Sequence, residues 1–304
     1  MITKKTLGLN MKPNKYYLYC LLTILFFSTL EVAGKLFGGG IHPIAITGIR
    51  FLIGSVLLSP FAMRQIRERK IKFKATDILL IGLVGSLNVG VSMLALQYAI
   101  LYGKASLAAL LISSNPIFVA IFGLLILHEK LKTSTVIGII LGLFGMGIII
   151  GFEDSLFSGA TNPLLGLTFG LVSAISFGLY TVYAKRYAVK FGGFVFNSIS
   201  FFVGGVVLLL AGLGLGFDLS FPLTLNNSAY LLYLGTFVTG LAYMLYFEGL
   251  KNIPTAIGSS FFYLKPAFAL ILAYLFLGEK IILMQVVGFI LVVISLSLGK
   301  KKVK

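Results

Sequence analysis

Long apolar stretches separated by short polar segments make up almost the whole of this chain. A helix of about 20 apolar residues crosses the hydrocarbon core of a bilayer, and ten stretches of about that length can be marked. The pattern therefore predicts an all-α integral membrane protein with ten transmembrane helices. The predicted helices cover about residues 17–37, 42–62, 76–99, 103–126, 133–151, 164–187, 193–216, 228–249, 254–277 and 281–299.

Two of these stretches share an internal pattern. Asn115-Pro116 and Lys265-Pro266 each lie inside an apolar run, and each run is followed by Glu-Lys, at 129–130 and at 279–280. The two patterns lie 150 positions apart, and the same offset aligns further residues without a gap. Among the aligned pairs are Lys35 with Lys185, Phe51 with Phe201, Gly54 with Gly204, Gly85 with Gly235, Gly90 with Gly240 and Gly138 with Gly288. We infer that the chain is a half-chain duplication.

Each half contains five predicted helices, which is an odd number. The second half must therefore enter the membrane from the opposite side, and the two repeats are expected to be inverted. The first repeat spans residues 18–151 and the second 164–299, with short basic tails at 1–16 and 300–304. Inverted repeats usually form a substrate site around a central cavity at their interface, and access to that site alternates between the two sides of the membrane.

Composition leaves no room for a separate soluble domain. Hydrophobic residues make up 58% of the chain and charged residues 11%, whereas a soluble domain carries about 25% charged residues. One cysteine and two histidines exclude a disulfide framework and argue against a structural metal site. We therefore expect no metal and no cofactor.

The net charge of +16 could indicate a nucleic-acid partner. The basic residues, however, flank the predicted helices and fall almost entirely on one side of the membrane, and the other side receives only Lys104 and Lys280. The positive-inside rule places the basic side in the cytosol. We expect a protein of the cell (inner) membrane with both termini cytosolic and no nucleic-acid partner. The basic loop at 64–74 is expected beside anionic lipid, with a regulatory site as the alternative.

The basic N-terminus followed by an apolar run is also typical of a signal peptide. That run contains Glu31 and Lys35 and is long enough to cross the membrane. We interpret it as an uncleaved first helix.

Ionisable residues inside predicted helices are the main candidates for function, because a charge at mid-bilayer costs at least about 2.5–3.5 kcal/mol. Lys265 and Asn115 occupy equivalent central positions, and the proline after each frees a backbone carbonyl one turn earlier. Such irregular points are tolerated where they face protein or a wet cavity. The alternatives are a structural ion pair for Lys265 and interhelical hydrogen bonding for Asn115.

Glu31 and Lys35 share one face of the first helix because they are spaced i, i+4. Glu31 is either a structural partner or a cation or proton site, since burial raises the pKa of a carboxylate. Arg50 lies near the middle of the second helix. Glu31, Lys35, Arg50 and Lys265 together carry excess positive charge, so either a neighbour such as Glu248 compensates or the cavity favours an anionic substrate group.

Uncharged polar residues complete the candidate site. Asn88 lies in the third predicted helix, Tyr180 in the sixth and Tyr243 in the eighth. Tyrosine offers an aromatic wall with one hydroxyl, which suits an amphipathic ligand; simple packing in the bundle is the alternative. The fifth helix carries a stripe of glycines beginning at Gly138, Gly142 and Gly145, which indicates close helix packing inside the chain or a homodimer face.

The ordered, duplicated set of motifs resembles the EamA-type transporters of the drug/metabolite transporter superfamily. The resemblance rests on Lys35, Arg50-Phe51, residues 105–110 leading to Asn115-Pro116, residues 127–131 with Gly138, residues 264–267, and residues 277–280 with Gly288. The resemblance covers about residues 18–299. One departure is Phe26-Phe27, where many members carry Trp.

The resemblance implies two inverted five-helix repeats around a cavity with alternating access. It also implies export or exchange of a small metabolite such as an amino acid, a nucleobase or a drug. Plastid relatives exchange phosphorylated sugars through basic residues on the ninth helix. The resemblance therefore implies, as an alternative, an anionic substrate bound by Lys265 and Arg50.

Other function classes are less well supported. The chain has no ATP-binding loop of the G-x-x-x-x-G-K type and no H-E-x-x-H metal motif, so an ATP-driven pump and an intramembrane metalloenzyme are not expected. We expect a secondary or facilitated transporter and no enzyme activity. A membrane channel or scaffold without saturable transport is the alternative.

Overall fold

In the computed structural model, the described residues are 14–37, 41–103, 105–151, 161–277 and 283–299. They form helical segments that we label α1 to α10, and no strand occurs among them. The segments are α1 (Asn14–Phe37), α2 (Pro43–Arg69), α3 (Ala75–Tyr102), α4 (105–127), α5 (Thr133–Gly151), α6 (Pro163–Phe191), α7 (Gly193–Gly214), α8 (Leu225–Leu250), α9 (255–277) and α10 (Leu283–Gly299).

Several predicted features lie outside the described residues. They are most of the first tail, the second tail, the loop at 152–160, Lys104, Glu279 and Lys280. The backbone of Glu31 and Lys35 is helical, but their side chains also lie outside the described part of the chain.

The described helices are long and apolar. Six of them, α2, α3, most of α4, α6, α7 and α8, have the length and composition to cross a membrane. Stretches within α1, α5 and α10 are shorter apolar helices. Large apolar side chains such as Phe144, Leu125 and Leu210 are more than half exposed on the outside, as expected for side chains that contact lipid. The prediction of an all-helical membrane protein is confirmed.

Helix ends follow local capping signals. Asn162 Oδ1 accepts a hydrogen bond from Leu165 N at 3.1 Å at the start of α6, where Pro163 occupies the first turn. Helix α2 runs about two turns past its predicted end at residue 62, to Arg69. These turns are mostly charged and exposed, so the apolar pattern does not include them. The helix stops at Lys70, which adopts the left-handed conformation (φ 49°).

Four of the helices are irregular in the middle. Leu87–Met93 of α3 and Leu234–Leu241 of α8 are π-helical, and each contains one member of the Gly90/Gly240 pair. Helix α4 is interrupted at Ser114, and α9 contains a 3-10 segment, Ser260–Leu264. Such interruptions often occur at functional sites.

Contacts between helix termini define two ends of the bundle. At one end, Lys190 near the end of α6 binds Asp77 at the start of α3, with Nζ–Oδ1 2.7 Å. Helix α8 also ends here and α9 begins here, and Lys185 Nζ donates a hydrogen bond of 2.8 Å to the carbonyl oxygen of Ile253 between them. We call this the basic end, because it carries Arg67, Lys70, Lys74, Lys185, Lys190 and Lys251.

The opposite end is held by contacts between the two halves of the chain. Asn162 N donates to Tyr102 O at 2.9 Å, and the ring of His42 lies 5.2 Å from that of Phe217. Between the two ends, α2 packs on α7 and α8, α3 packs on α6 and α7, and α5 packs on α10. The helices of the two halves therefore interdigitate around one large core, and a second, small cluster lies where α4, α5 and α9 meet.

Candidate functional site

A small cavity of about 30 Å³ lies in the middle of the bundle. Helices from both halves of the chain contribute to its wall. The lining side chains are aromatic (Phe27, Phe177, Tyr243, Phe262), aliphatic (Leu30, Met93, Leu96, Ile112, Val238) and cationic (Arg50, Lys265). The cavity therefore combines an apolar wall with two basic groups.

Tyr243 is the centre of the aromatic wall. Its ring contacts those of Phe27 and Phe201 edge-on, at centroid distances of 5.2 and 5.1 Å. Its hydroxyl accepts a long hydrogen bond of 3.5 Å from Asn88 Nδ2 on the π-helical part of α3. Edge-to-face ring pairs have a preferred geometry, so the surrounding rings fix the position of the hydroxyl. Asn88 thus supports Tyr243 from behind the cavity wall.

Arg50 and Lys265 bring positive charge to this apolar site. Arg50 lies on α2 and is 1% exposed, and Lys265 directly follows the 3-10 segment of α9 and is 3% exposed. The Arg50 guanidinium carbon lies 4.9 Å from the centre of the neighbouring Phe51 ring, a cation–π distance. Two cations buried beside one cavity are costly in a membrane unless they bind a partner or a ligand.

Asn115 has a local role. Proline 116 has no N–H, and the carbonyl of Ile112, four residues earlier, is therefore left without its helical donor. Asn115 Nδ2 donates to this oxygen at 2.6 Å. Tyr180 is fully buried one turn from the cavity wall, with its ring 6.3 Å from that of Tyr243. The structure thus brings Arg50, Tyr243 and Lys265 together, with Asn88 and Tyr180 next to them and Asn115 bound to backbone.

Three further predictions concern Glu31, Glu248 and the glycine stripe of α5. The side chain of Glu31 is outside the described residues. Glu248 does not compensate the cavity cations, because it binds Lys251 at the basic end. The glycine stripe of α5 faces α10 within the chain: a Cβ on Gly145 would lie 2.8 Å from Gly288 O. Close packing inside the chain therefore occupies this stripe.

Sequence reasoning missed most of the apolar wall. Phe27, Met93, Ile112 and Phe177 line the cavity, but single apolar residues in an apolar helix carry no signal of their own. The 150-residue offset is the one signal that was available. It aligns Phe27 with Phe177, Met93 with Tyr243 and Ile112 with Phe262, and all six residues line the cavity.

The cavity is too small for a metabolite. A water molecule occupies about 10–15 Å³ by the same measure, so there is room for about two waters. Sites for small organic ligands are generally far larger. A ligand could enter only if the helices around the cavity moved apart.

The chain matches a known family along almost its whole length. The model of the EamA-like transporter family matches residues 14–151 and again residues 164–298. An uncharacterized transporter of Clostridium kluyveri is 38% identical, covering 92% of this chain and 91% of that protein. The uncharacterized transporter YvbV of Bacillus subtilis is 27% identical over 86% and 84% of the two chains. One from Archaeoglobus fulgidus is 26% identical over 95% and 99%.

A solved crystal structure has the same fold. It superimposes with a TM-score of 0.75 over 94% of this chain and 96% of its own, at 18% sequence identity. The family match and the relatives are all transporters, none is an enzyme, and the described helices are those of a multi-pass membrane protein. The chain belongs to the EamA-like transporter family.

Proposed function

We propose that the protein is a secondary or facilitated carrier of a small organic metabolite that works by alternating access. Ten transmembrane helices would form two inverted five-helix repeats around the central cavity. The substrate would be an amino acid, a nucleobase or a drug-like solute, and the carrier would export or exchange it.

The composition of the cavity wall carries this proposal. Three pairs of lining residues, Phe27/Phe177, Met93/Tyr243 and Ile112/Phe262, are related by the 150-residue offset. A cavity lined by equivalent residues of two repeats lies close to the axis that relates the repeats. That is where carriers built from inverted repeats hold their substrate.

Close contacts between the halves support the same symmetry. A Cβ on Gly138 would lie 2.9 Å from Ser295 O, and one on Gly145 would lie 2.8 Å from Gly288 O. Adding the offset to Gly138 gives Gly288, and adding it to Gly145 gives Ser295. The two contacts therefore exchange with each other, as a twofold relation requires. Gly85 with Ser200 and Gly235 with Arg50 form a second such pair.

The distribution of charge supports the orientation. We propose that the basic end faces the cytosol of a cell (inner) membrane, with both termini on that side, since basic residues concentrate on the cytosolic side of membrane proteins. The basic segment at 64–74, which forms the end of α2 and the loop after it, would then lie beside anionic lipid headgroups.

An anionic or phosphorylated metabolite is the second candidate substrate. Arg50 and Lys265 both line the cavity, and buried cations recognise carboxylate and phosphate groups. In this version the protein is an antiporter that exchanges one anion for another. The aromatic wall around Tyr243 favours a substrate that also has an apolar or ring-shaped part.

Glu31 is the proposed proton-coupling residue. In a flux assay at several external pH values, Glu31→Gln is expected to remove any pH dependence of transport, because the amide cannot exchange a proton. An unchanged pH profile would assign the proton to another residue.

The carrier function is tested by flux into proteoliposomes. A growth screen of an overexpressing strain against toxic amino acids, nucleobases, dyes and phosphonate antibiotics first selects the solutes. Uptake of a selected solute is expected to saturate and to be inhibited by its chemical relatives. Linear, uncompeted uptake would indicate a channel, and no uptake of any solute would favour a scaffold.

A second copy of the chain is a further proposed partner. Because α10 covers the glycine stripe of α5, a homodimer would have to use another lipid-facing surface. Crosslinking in native membranes would detect it, and an exclusively monomeric product would exclude it.

A further inference from the structure

Three helices meet at one carboxylate at the basic end. Glu129, just past the end of α4, binds Lys185 of α6 with Oε1–Nζ 2.8 Å. Its other oxygen, Oε2, accepts a hydrogen bond of 2.8 Å from the backbone N–H of Thr255 at the start of α9, and a second bond from the Thr255 hydroxyl. We call Glu129, Lys185 and Thr255 the Glu129 cluster.

Positive groups surround the carboxylate of Glu129 in this cluster. Lys185 Nζ also donates to the carbonyl oxygen of Ile253 at 2.8 Å. The first N–H groups of a helix have no partner within the helix and carry partial positive charge. The carboxylate of Glu129 therefore faces a lysine and the positive end of α9 at once. The side chains of Lys185 and Glu129 are only 13% and 18% exposed, so water screens these bonds weakly.

Close approach of α4 and α9 makes the contact possible. A Cβ on Gly123 would lie 3.1 Å from the Thr255 hydroxyl oxygen. Helix α4 belongs to the first half of the chain, whereas α6 and α9 belong to the second. The cluster thus joins the two halves at one end of the bundle, and any movement that separates them there must break its bonds.

The cluster also lies on the same face of α6 as one of the residues that line the cavity. Phe177, Thr181 and Lys185 are spaced four residues apart and share one face of α6. Phe177 lines the cavity, and Lys185 is eight residues further, or about 12 Å along the helix. The buried hydroxyl of Tyr180 lies on the same stretch and has no hydrogen-bond partner among the described residues. A buried hydroxyl without a partner favours any state that admits water to it.

We propose that Glu129 is the positioning residue that closes the cavity at the basic end, by holding the ends of α4 and α6 to the start of α9. Opening to this side exchanges the Glu129 bonds for bonds to water, so the closure is stable but reversible. This proposal rests on the carrier function proposed above, because only a carrier needs the cavity to open alternately. Glu129 itself does not contact the substrate.

Accessibility of a single cysteine tests the closure directly. In a Cys20→Ser background, which removes the native cysteine, Thr181→Cys places a thiol on α6 between cavity-lining Phe177 and Lys185 of the cluster. A membrane-impermeant maleimide is added to vesicles from the basic-end side. Adding Glu129→Gln is expected to speed labelling about tenfold, the effect of losing about 1.4 kcal/mol from the closed state.

Glu248→Gln is the matched control. Glu248 also carries one negative charge at the basic end, but its bond to Lys251 lies within a single segment, three residues apart. It is expected to leave labelling unchanged. Labelling from the opposite side of the membrane is expected not to rise in either variant, which separates a directed opening from general loosening of the fold.

A second pair of variants keeps the test available if Glu129→Gln fails to fold. Thr255→Val removes the hydroxyl donor but keeps the backbone N–H, and is expected to speed labelling about threefold, whereas Thr255→Ser should match the parent. Equal labelling of the folded variants and the parent overturns the proposal. If labelling changes as expected but no solute shows saturable flux, the closure stands and the carrier function fails.

Discussion

Asn115 and Lys265 occupy equivalent positions before a proline, but their side chains are used differently. The amide of Asn115 binds the carbonyl oxygen of Ile112, which Pro116 leaves without a helical donor. In the second half, the corresponding carbonyl of Phe262 accepts from the backbone N–H of Lys265 instead, within the 3-10 segment. Lys265 itself lines the cavity.

Replacement of Asn115 is expected to affect stability more than substrate affinity. Asn115→Ala leaves the buried Ile112 carbonyl without a donor, which costs about 1–3 kcal/mol. A lower midpoint of thermal unfolding in detergent, with an unchanged KM for transport, would show it. Ser113→Ala is the control, because the buried Ser113 hydroxyl has no hydrogen-bond partner among the described residues and its removal should be neutral.

Replacement of Lys265 is expected to have the opposite pattern. Lys265→Ala should lower transport at least about tenfold, since a charged contact to the substrate is worth about 1.5–3 kcal/mol, while the protein still inserts and purifies as a folded monodisperse species. Lys251→Ala, which removes a lysine at the basic end, should transport like the wild type. Transport by Lys265→Ala at the wild-type rate would remove Lys265 from the site.

Interruptions of regular helix concentrate around the cavity. The π-helical segment of α3 carries Asn88 and Met93, and the 3-10 segment of α9 carries Phe262 and leads to Lys265. By contrast, α5 and α10 have no such interruption among their described residues, and they pack on each other through glycines. All four irregular helices therefore contribute to the cavity wall, together with the regular helices α1, α2 and α6, whereas no described residue of α5 or α10 lines it.

The crossing of α5 and α10 gives an element-level prediction. Gly145→Ala is expected to destabilise the protein by about 1–3 kcal/mol, because the new methyl group would lie 2.8 Å from Gly288 O and force the helices apart. Gly147→Ala is the control on the same helix, where a Cβ meets no atom within 4 Å. Thermal unfolding of both variants measures the difference. Equal unfolding midpoints would show that α5 and α10 can move apart without loss of stability.

At the scale of the whole molecule, the two ends of the bundle differ in charge and in closure. The basic end holds the Glu129 cluster and the Lys190–Asp77 pair. At the other end, the described contacts between the halves include the Asn162–Tyr102 backbone hydrogen bond, the stacking of Tyr102 on Phe169 and the ring contact of His42 with Phe217. An oriented membrane protein with a cytosolic excess of lysine and arginine fits this asymmetry.

Orientation can be measured with two cysteines in a Cys20→Ser background. Lys72→Cys lies in the exposed loop at the basic end, and Leu223→Cys lies in the exposed loop before α8 at the other end. An impermeant maleimide added to intact cells or spheroplasts is expected to label Leu223→Cys and to spare Lys72→Cys until the membrane is broken. Labelling of both positions from outside would contradict the proposed topology.

The sequence by itself determined the all-helical membrane class, the approximate helix ranges and the family. Helix length and hydropathy are local properties, because each segment that crosses the bilayer must satisfy its own backbone hydrogen bonds as an apolar helix. It also predicted Arg50, Tyr243 and Lys265 as candidate site residues, because charge and polarity are rare in apolar helices, and all three line the cavity. The chain in three dimensions decided which residues share a wall. Phe27 and Phe177 line one cavity, and Glu129 joins α4, α6 and α9, because both arrangements depend on how helices distant in sequence pack together.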